Sequence, residues 1–208
     1  MSAATEALDR LAEGNRRFVA SMQSDDNRLG HLERAALAKG QNPFAIILGC
    51  SDSRVPAELV FDQGLGDLFV IRVAGNIVAP SQIGSVEFAV EQFGVPLVVV
   101  LGHSSCGAVE ATVQALRRDA GPTSPNIAAI VDRIRPAVEP LMRLDEAEGV
   151  TGLVADAVRA NVAASVRQLA EGSAFLSRQV ETGSLMIVGA EYSLETGVVA
   201  LLERGEST

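Results

Sequence analysis

The stretch FAIILGCSDSRVP, residues 44–56, decides the fold of this chain. A short apolar run that ends at a glycine, here Gly49, is typical of a strand that is buried on both faces of a parallel sheet. Cys50, Asp52 and Arg54 follow the run directly. The stretch therefore predicts a core strand that carries a thiol, a carboxylate and a guanidinium to the edge of a sheet.

Strand and helix patterns alternate along the rest of the chain. Buried-strand patterns recur at 68–73, 97–102, 185–192 and 197–203. Helical patterns lie at 81–94, 107–118 and 153–169, and one or two more helices are expected after a loop at 121–126. Ser81 is the expected N-cap of the helix at 81–94, and Gly94 is its stop. This alternation predicts an α/β fold with a mostly parallel central sheet flanked by helices.

The first part of the chain has a different pattern. Apolar residues recur at helical spacing over 5–21, and a second helix is expected over 31–39. We expect residues 1–42 to form an N-terminal helical extension of an α/β core over 43–208, within a single domain.

Composition narrows the classes of function. Lys and Arg number 17 against 26 Asp and Glu, which gives a net charge of −9. An acidic surface repels phosphate backbones, so nucleic-acid binding is not expected. No apolar run approaches the roughly 20 residues of a membrane span, and the N-terminus lacks the apolar stretch of a secretory signal. We therefore expect no membrane association and a cytoplasmic location.

A second motif repeats the order of the first. The stretch LGHSSCG (101–107) also ends a buried strand and then presents potential metal ligands. The carboxyl ends of neighbouring parallel strands meet at one edge of a sheet. If the two strands are neighbours, Cys50 and Asp52 converge there with His103 and Cys106.

The chemistry of these side chains predicts a zinc site. Cys50, His103 and Cys106 make a Cys₂His donor set, which suits Zn²⁺, and three protein ligands leave the open position of a catalytic zinc. A structural zinc normally has four protein ligands. Asp52 is near enough to be the fourth, but a bidentate pair with Arg54 would hold it off the metal. Asp52 would then orient a zinc-bound water.

The two motifs, CSDSRVP followed by GHSSCGAV, resemble those of the β-class carbonic anhydrases. The similarity extends through FVIRVAGN (69–76), IGSVEFAV (83–90) and GAEYSLETG (189–197). The resemblance implies zinc-dependent, reversible hydration of CO₂ to bicarbonate and a proton by a zinc-bound hydroxide. It also implies three zinc ligands and a catalytic dyad: Cys50, His103 and Cys106, with Asp52 and Arg54.

The resemblance further implies a substrate cleft. Gln41 and Phe69 match cleft residues of the family, and Gly107 beside the last ligand is assigned to the same cleft. Phe88 stands where plant-like members carry a tyrosine, so a hydroxyl is missing there. The family builds this cleft from two subunits, which implies a homodimer or a homotetramer with the active site near the subunit interface.

Some family members switch off when bicarbonate binds beside a tryptophan that precedes the first cysteine. This chain has no tryptophan, and Ile47 stands at that position. We therefore expect an open site at neutral pH. His31 is interpreted as an exposed helical residue rather than a proton shuttle, and Arg72 as a structural or interface ion-pair residue.

Two other functions fit the same residues. One is a related zinc hydrolase that acts on carbon disulfide or carbonyl sulfide, since the catalytic residues alone do not separate these substrates from CO₂. The other is a zinc-stabilised, non-catalytic bicarbonate-binding protein, in which Asp52 would close the metal site at every pH.

Overall fold

The structure, a computed structural model, describes residues 2–21, 40–118, 124–142 and 150–202. The strands are β1 Ala45–Gly49, β2 Leu68–Arg72, β3 Leu97–His103, β4 Met186–Tyr192 and β5 Val199–Leu201. The helices are α1 Ala3–Ser21, α2 Ala57–Val60, α3 Pro80–Phe93, α4 Gly107–Arg118, α5 Pro125–Met142, α6 Val150–Glu171 and α7 Ala174–Glu181. A 3₁₀ turn spans Ala74–Asn76.

The strands form one sheet in the order β2-β1-β3-β4-β5. Strands β2, β1, β3 and β4 are parallel, and β5 pairs antiparallel with β4. The predicted α/β fold with a mostly parallel sheet is confirmed. The chain runs from β1 outward to β2 and then returns to place β3 on the other side of β1. This reversal between β1 and β3 is where open α/β sheets form their binding crevice.

Both faces of the sheet are covered, which explains the continuous apolar runs of the central strands. On one face, Ile47 and Val99 belong to the core that includes α1 and α2. On the other face, Ile46 and Val98 pack in the core that contains α3, α6 and α7. Helices α4, α5 and α6 form a third apolar cluster around the residues that follow β1 and β3.

Helix α6 lies very close to the sheet because glycines face it. A Cβ atom at Gly102 would lie 2.5 Å from Val162 Cγ2, and a Cβ at Gly189 would lie 2.8 Å from Val162 Cγ1. A side chain on either strand would therefore push the helix away. This close packing fixes the position of α6 relative to the carboxyl end of β3.

The helix predicted over 5–21 is present as α1, whereas the division of the chain into an extension over 1–42 and a core over 43–208 stays a prediction. Helix α1 packs on the sheet through its buried Leu11, and Asn15 Nδ2 donates to Val60 O at 2.8 Å and to Gly197 O at 2.9 Å. The helix expected at 31–39, with His31, lies outside the described residues. Among the helices that the structure describes, none combines the length and the apolar character needed to cross a membrane.

Some expected boundaries are wrong. The helix expected at 81–94 begins one residue earlier, because Pro80 occupies its first turn, and Ala79 rather than Ser81 is the N-cap residue. Gly94 ends that helix with a left-handed φ of 64°, as expected. The expected loop at 121–126 is wrong at its end, because α5 already begins at Pro125.

Candidate metal centre

The loops after β1 and β3 bring three ligand side chains together. The Cys50 and Cys106 sulfurs and a ring nitrogen of His103 all lie within 4.8 Å of one another, and all three residues are buried. The two strands are hydrogen-bonded neighbours, with Gly49 opposite Leu101. The predicted convergence of these residues at the carboxyl edge of the sheet is therefore present. Asp52 is not a member of this group.

His103 presents a ring nitrogen that has no protein partner. Its Nδ1 lies 2.9 Å from the Ser104 carbonyl oxygen, and because a carbonyl only accepts, Nδ1 carries the hydrogen. In the neutral imidazole Nε2 then holds a lone pair, and this atom is buried and has no hydrogen-bond partner among the described residues. An unpaired buried polar atom costs about 1–3 kcal/mol. A metal ion at Nε2 would remove this cost, and a backbone-anchored Nδ1 is the usual arrangement of a histidine ligand.

The two cysteines are buried and are not joined by a disulfide. The Cys106 thiol donates to Cys50, which lowers the pKa of Cys50 against the opposing effect of its burial. The same hydrogen bond, together with burial, raises the pKa of Cys106. The Gly75 N–H also donates to Cys50 Sγ at 3.3 Å. Two sulfurs and one imidazole nitrogen are a borderline-soft donor set, so the residues present fit Zn²⁺.

The environment of His103 has opposing effects on its charge. Burial disfavours the imidazolium, whereas contact with Cys50 and the Ser104 carbonyl favours it, and the net result is a raised pKa for His103. Asp52 contributes to the same shift, since its Oδ2 lies 4.0 Å from His103 Nε2. The pocket is therefore an environment that favours positive charge.

The predicted Asp52–Arg54 pair is present and bidentate. Arg54 Nε donates to Asp52 Oδ1 at 2.9 Å, and Arg54 Nη2 donates to Oδ2 at 2.7 Å. The Arg54 backbone N–H adds a third bond to Oδ1 at 3.0 Å. These bonds hold the pKa of Asp52 well below its usual range. The carboxylate is thus ionised and both of its oxygens are directed by the arginine.

Arg72 holds the loop that carries this pair, a role that the sequence analysis missed. Its Nε donates to Cys50 O at 3.0 Å, and its Nη2 donates to Asp52 O at 2.6 Å. Arg72 is the last residue of β2 and lies opposite Gly49. The available signal was its position at the end of a strand that neighbours β1, beside the first motif.

The loop after β3 is fixed by its neighbours. Ser104 N–H donates to Tyr192 O at 3.0 Å, and Ser104 Oγ accepts from Leu194 N at 3.0 Å. Arg54 Nη2 reaches Ser105 O at 3.3 Å, and Ser105 has a left-handed φ of 54°. Such backbone strain in a non-glycine residue is common at functional sites. It turns the chain sharply just before Cys106.

Of the expected cleft residues, Gly107 follows the ligand Cys106 directly, whereas the two phenylalanines lie away from the metal centre of a single chain. Phe69 pairs with Ile46 in the sheet. It stands three residues before Arg72, the last residue of β2, and is therefore roughly 10 Å from that end of the strand. Phe88 is half-exposed, and its ring lies 6.2 Å from that of Phe69. Gln41 is exposed, and a Cβ at Gly107 would meet no described atom within 4 Å. The substrate-binding roles of these residues stay predictions.

Known proteins match this chain over most of its length. The family model described as carbonic anhydrase matches residues 45–199. Carbonic anhydrase 2 of Mycobacterium tuberculosis is 43% identical over 201 residues, which cover 94% of this chain and 91% of that protein.

Solved structures match the fold as well. The β-carbonic anhydrase CafA of Aspergillus fumigatus superposes with a TM-score of 0.74 at 26% identity, covering 96% of this chain and 91% of that one. A tetrameric β-carbonic anhydrase of Sordaria macrospora gives a TM-score of 0.73 at 23% identity, covering 92% of this chain and 94% of that one, and so supports the fold alone. This chain therefore belongs to the β-class carbonic anhydrase family.

Proposed function

We propose that this chain, an enzyme of the carbonic anhydrase family, hydrates CO₂ reversibly to bicarbonate and a proton at a Zn²⁺ ion held by Cys50, His103 and Cys106. One observation carries the proposal: a ring nitrogen of His103 lies within 4.8 Å of two cysteine sulfurs, and the buried Nε2 of this histidine lacks a hydrogen-bond partner among the described residues. When bound, Zn²⁺ lowers the pKa of a water from about 15.7 to about 7 and so supplies a nucleophile at neutral pH.

Asp52 orients the attacking water. Its Oδ2 is 4.0 Å from His103 Nε2, and since Arg54 lowers the pKa of Asp52, the carboxylate is ionised and accepts a hydrogen bond. The accepted hydrogen directs the lone pair of the water toward the substrate carbon. A carboxylate with so low a pKa is a poor proton store, so the released proton passes to solvent buffer or to a surface group rather than to Asp52.

Arg54 restrains Asp52 from becoming a fourth ligand. Its two side-chain donors occupy both carboxylate oxygens, and a planar guanidinium enforces that geometry more strongly than an ammonium would. This restraint supports a catalytic site over a non-catalytic centre that Asp52 closes permanently.

The substrate site requires a second subunit in this proposal. Phe69 and Phe88 form an aromatic cluster with Phe93 in which the rings of Phe88 and Phe93 lie 5.8 Å apart. An apolar surface of this kind suits CO₂, and we assign it, with Gln41, to a cleft between subunits. A homodimer or homotetramer follows from this assignment. The free thiols at the centre support a reducing location, which we propose is the cytoplasm.

Stopped-flow CO₂ hydration with zinc counted per chain tests the proposal. We expect about one zinc per chain and rapid hydration, and we expect Cys106→Ser to lose both, because a hydroxyl is a poor zinc ligand. Ser177→Ala, which removes a hydroxyl bonded to Ala170 O, is the matched control and retains both. Sulfide release from carbon disulfide without CO₂ hydration would contradict the proposal and favour the related hydrolase.

A further inference from the structure

Helix α6 carries a pair of buried polar residues on the side that faces the 3₁₀ turn. Asn161 and Ser165 are each 2% exposed, and residues four apart lie on the same face of a helix. Asn161 Nδ2 donates to Gly75 O at 2.8 Å, and Ser165 Oγ donates to Asn76 O at 3.0 Å. Both side chains are thus used to hold two consecutive carbonyl groups.

The turn that these two side chains hold, Ala74–Asn76, contacts Cys50, a proposed ligand of the metal. The N–H of Gly75 donates to Cys50 Sγ at 3.3 Å, while the carbonyl of the same residue accepts from Asn161. Gly75 therefore connects α6 to the cysteine sulfur. Gly75 has a left-handed φ of 69°, which glycine adopts freely, whereas the φ of 44° at Asn76 is uncommon for a residue with a side chain, so contacts from outside the turn help to keep its shape.

The helix is a firm support for this turn. Val162, the residue after Asn161, packs against the bare Cα positions of Gly102 and Gly189 on two neighbouring strands. On its other side the turn is confined by Ile134, whose Cδ1 would lie 2.7 Å from a Cβ at Gly75. The position of the Gly75 N–H is therefore fixed from both sides.

We propose that Asn161 and Ser165, here named the α6 clamp, are positioning residues that direct the Gly75 N–H at the Cys50 sulfur and thereby retain the bound metal. This inference rests on the proposed zinc function. An N–H bond to a ligand sulfur fixes its orientation and withdraws charge from it, and loss of such an outer contact typically costs 10–100-fold in metal affinity. A clamp that only satisfied the two carbonyls would affect stability and leave the metal–sulfur bond unchanged.

The test uses the full chain loaded with Zn²⁺ or with Co²⁺. We expect Asn161→Ala to transfer zinc to a chelator about 10–100-fold faster than wild type, and Ser165→Ala to do so to a smaller extent. In the Co²⁺ protein, the sulfur-to-cobalt absorption band should shift in both variants. Because Asn161→Ala removes a large buried group, the isosteric Ser165→Ala decides the outcome if the first variant does not fold.

Two control variants separate positioning from stability. Asn15 is also buried and also bonds backbone groups, at Val60, Gly197 and Val199, but on the α1 side of the sheet. Asn15→Ala and Ser177→Ala should lower stability and keep the wild-type transfer rate and cobalt spectrum. If the clamp variants behave like these controls, the proposed positioning role of the α6 clamp is refuted, while the proposed zinc function stands. If wild type binds neither metal, the proposed function itself fails.

Discussion

Replacing Gly75 by alanine strains the turn beside Cys50 in two ways that can be separated. At φ 69° a Cβ costs about 1–2 kcal/mol, offset by roughly 0.4–1 kcal/mol because alanine restricts the unfolded chain. The new methyl would also lie 2.7 Å from Ile134 Cδ1 and 3.1 Å from Ala108 Cβ, and overpacking of this kind adds about 1–3 kcal/mol. We therefore expect Gly75→Ala to lower the free energy of unfolding by about 1–5 kcal/mol.

Gly94→Ala isolates the backbone contribution. Gly94 has a similar φ of 64°, but a Cβ there would meet no described atom within 4 Å. The cost of Gly94→Ala should thus be about 1.5 kcal/mol or less, which is the backbone strain minus the entropy gain. Urea unfolding of the metal-free proteins gives both values, and zinc transfer to a chelator should be faster only in Gly75→Ala.

A double variant tests the steric contact itself. Ile134→Val removes Cδ1, the nearest atom, and alone costs about 0.5–1.5 kcal/mol. Because it makes room for the methyl, the cost of Gly75→Ala should fall in the Ile134→Val background, a non-additivity expected of residues in contact. Equal losses in Gly75→Ala and Gly94→Ala, with strict additivity in the double variant, would refute the reasoning.

Three further outcomes follow from the site. Arg54→Ala should keep zinc yet hydrate CO₂ about 10–100-fold more slowly. Arg54→Lys should recover only part of the activity, because an ammonium cannot bond both carboxylate oxygens of Asp52. Full activity of Arg54→Ala in stopped-flow assays would contradict the proposed restraint of Asp52. Arg72→Gln should release zinc about 10-fold faster in the chelator assay, because the carbonyls of Cys50 and Asp52 lose the guanidinium that donates to them. An unchanged rate would show that Arg72 does not help to hold the metal centre. Removing zinc with a chelator should lower the free energy of unfolding of wild type in urea by about 2.7 kcal/mol, relative to protein in free zinc at 100 times its Kd. Cys106→Ser should show no such difference. Equal changes in both proteins would count against zinc binding at this site.

The sequence was informative where local pattern and chemistry coincide. The two Leu-Gly strands indicated that their ligands meet at the carboxyl edge of a parallel sheet if the strands are neighbours, and β1 and β3 are neighbours. The pair of Asp52 and Arg54 was also readable, since residues two apart on an extended loop reach the same side. Gly94 marked the end of α3 for a purely local reason, its left-handed conformation.

The remaining contacts depend on distant parts of the chain. Arg72 was interpreted as an ion-pair residue, but its partners are backbone carbonyls, which have no pattern in a sequence. No local pattern marks Asn161 and Ser165 as functional residues, because the turn that they hold is more than 80 residues away in the sequence. Ser81 looked like an N-cap by type, whereas Pro80 set the start of the helix by its fixed φ.

X-ray absorption at the zinc edge of the purified chain tests the central claim most directly. We expect about one zinc per chain with two sulfur neighbours at about 2.3 Å, one imidazole nitrogen at about 2.0–2.1 Å and one further light atom from solvent. The nitrogen contribution should vanish in His103→Ala. A zinc without sulfur neighbours, or one whose fourth neighbour is the Asp52 carboxylate across the pH range of CO₂ hydration, would contradict the account.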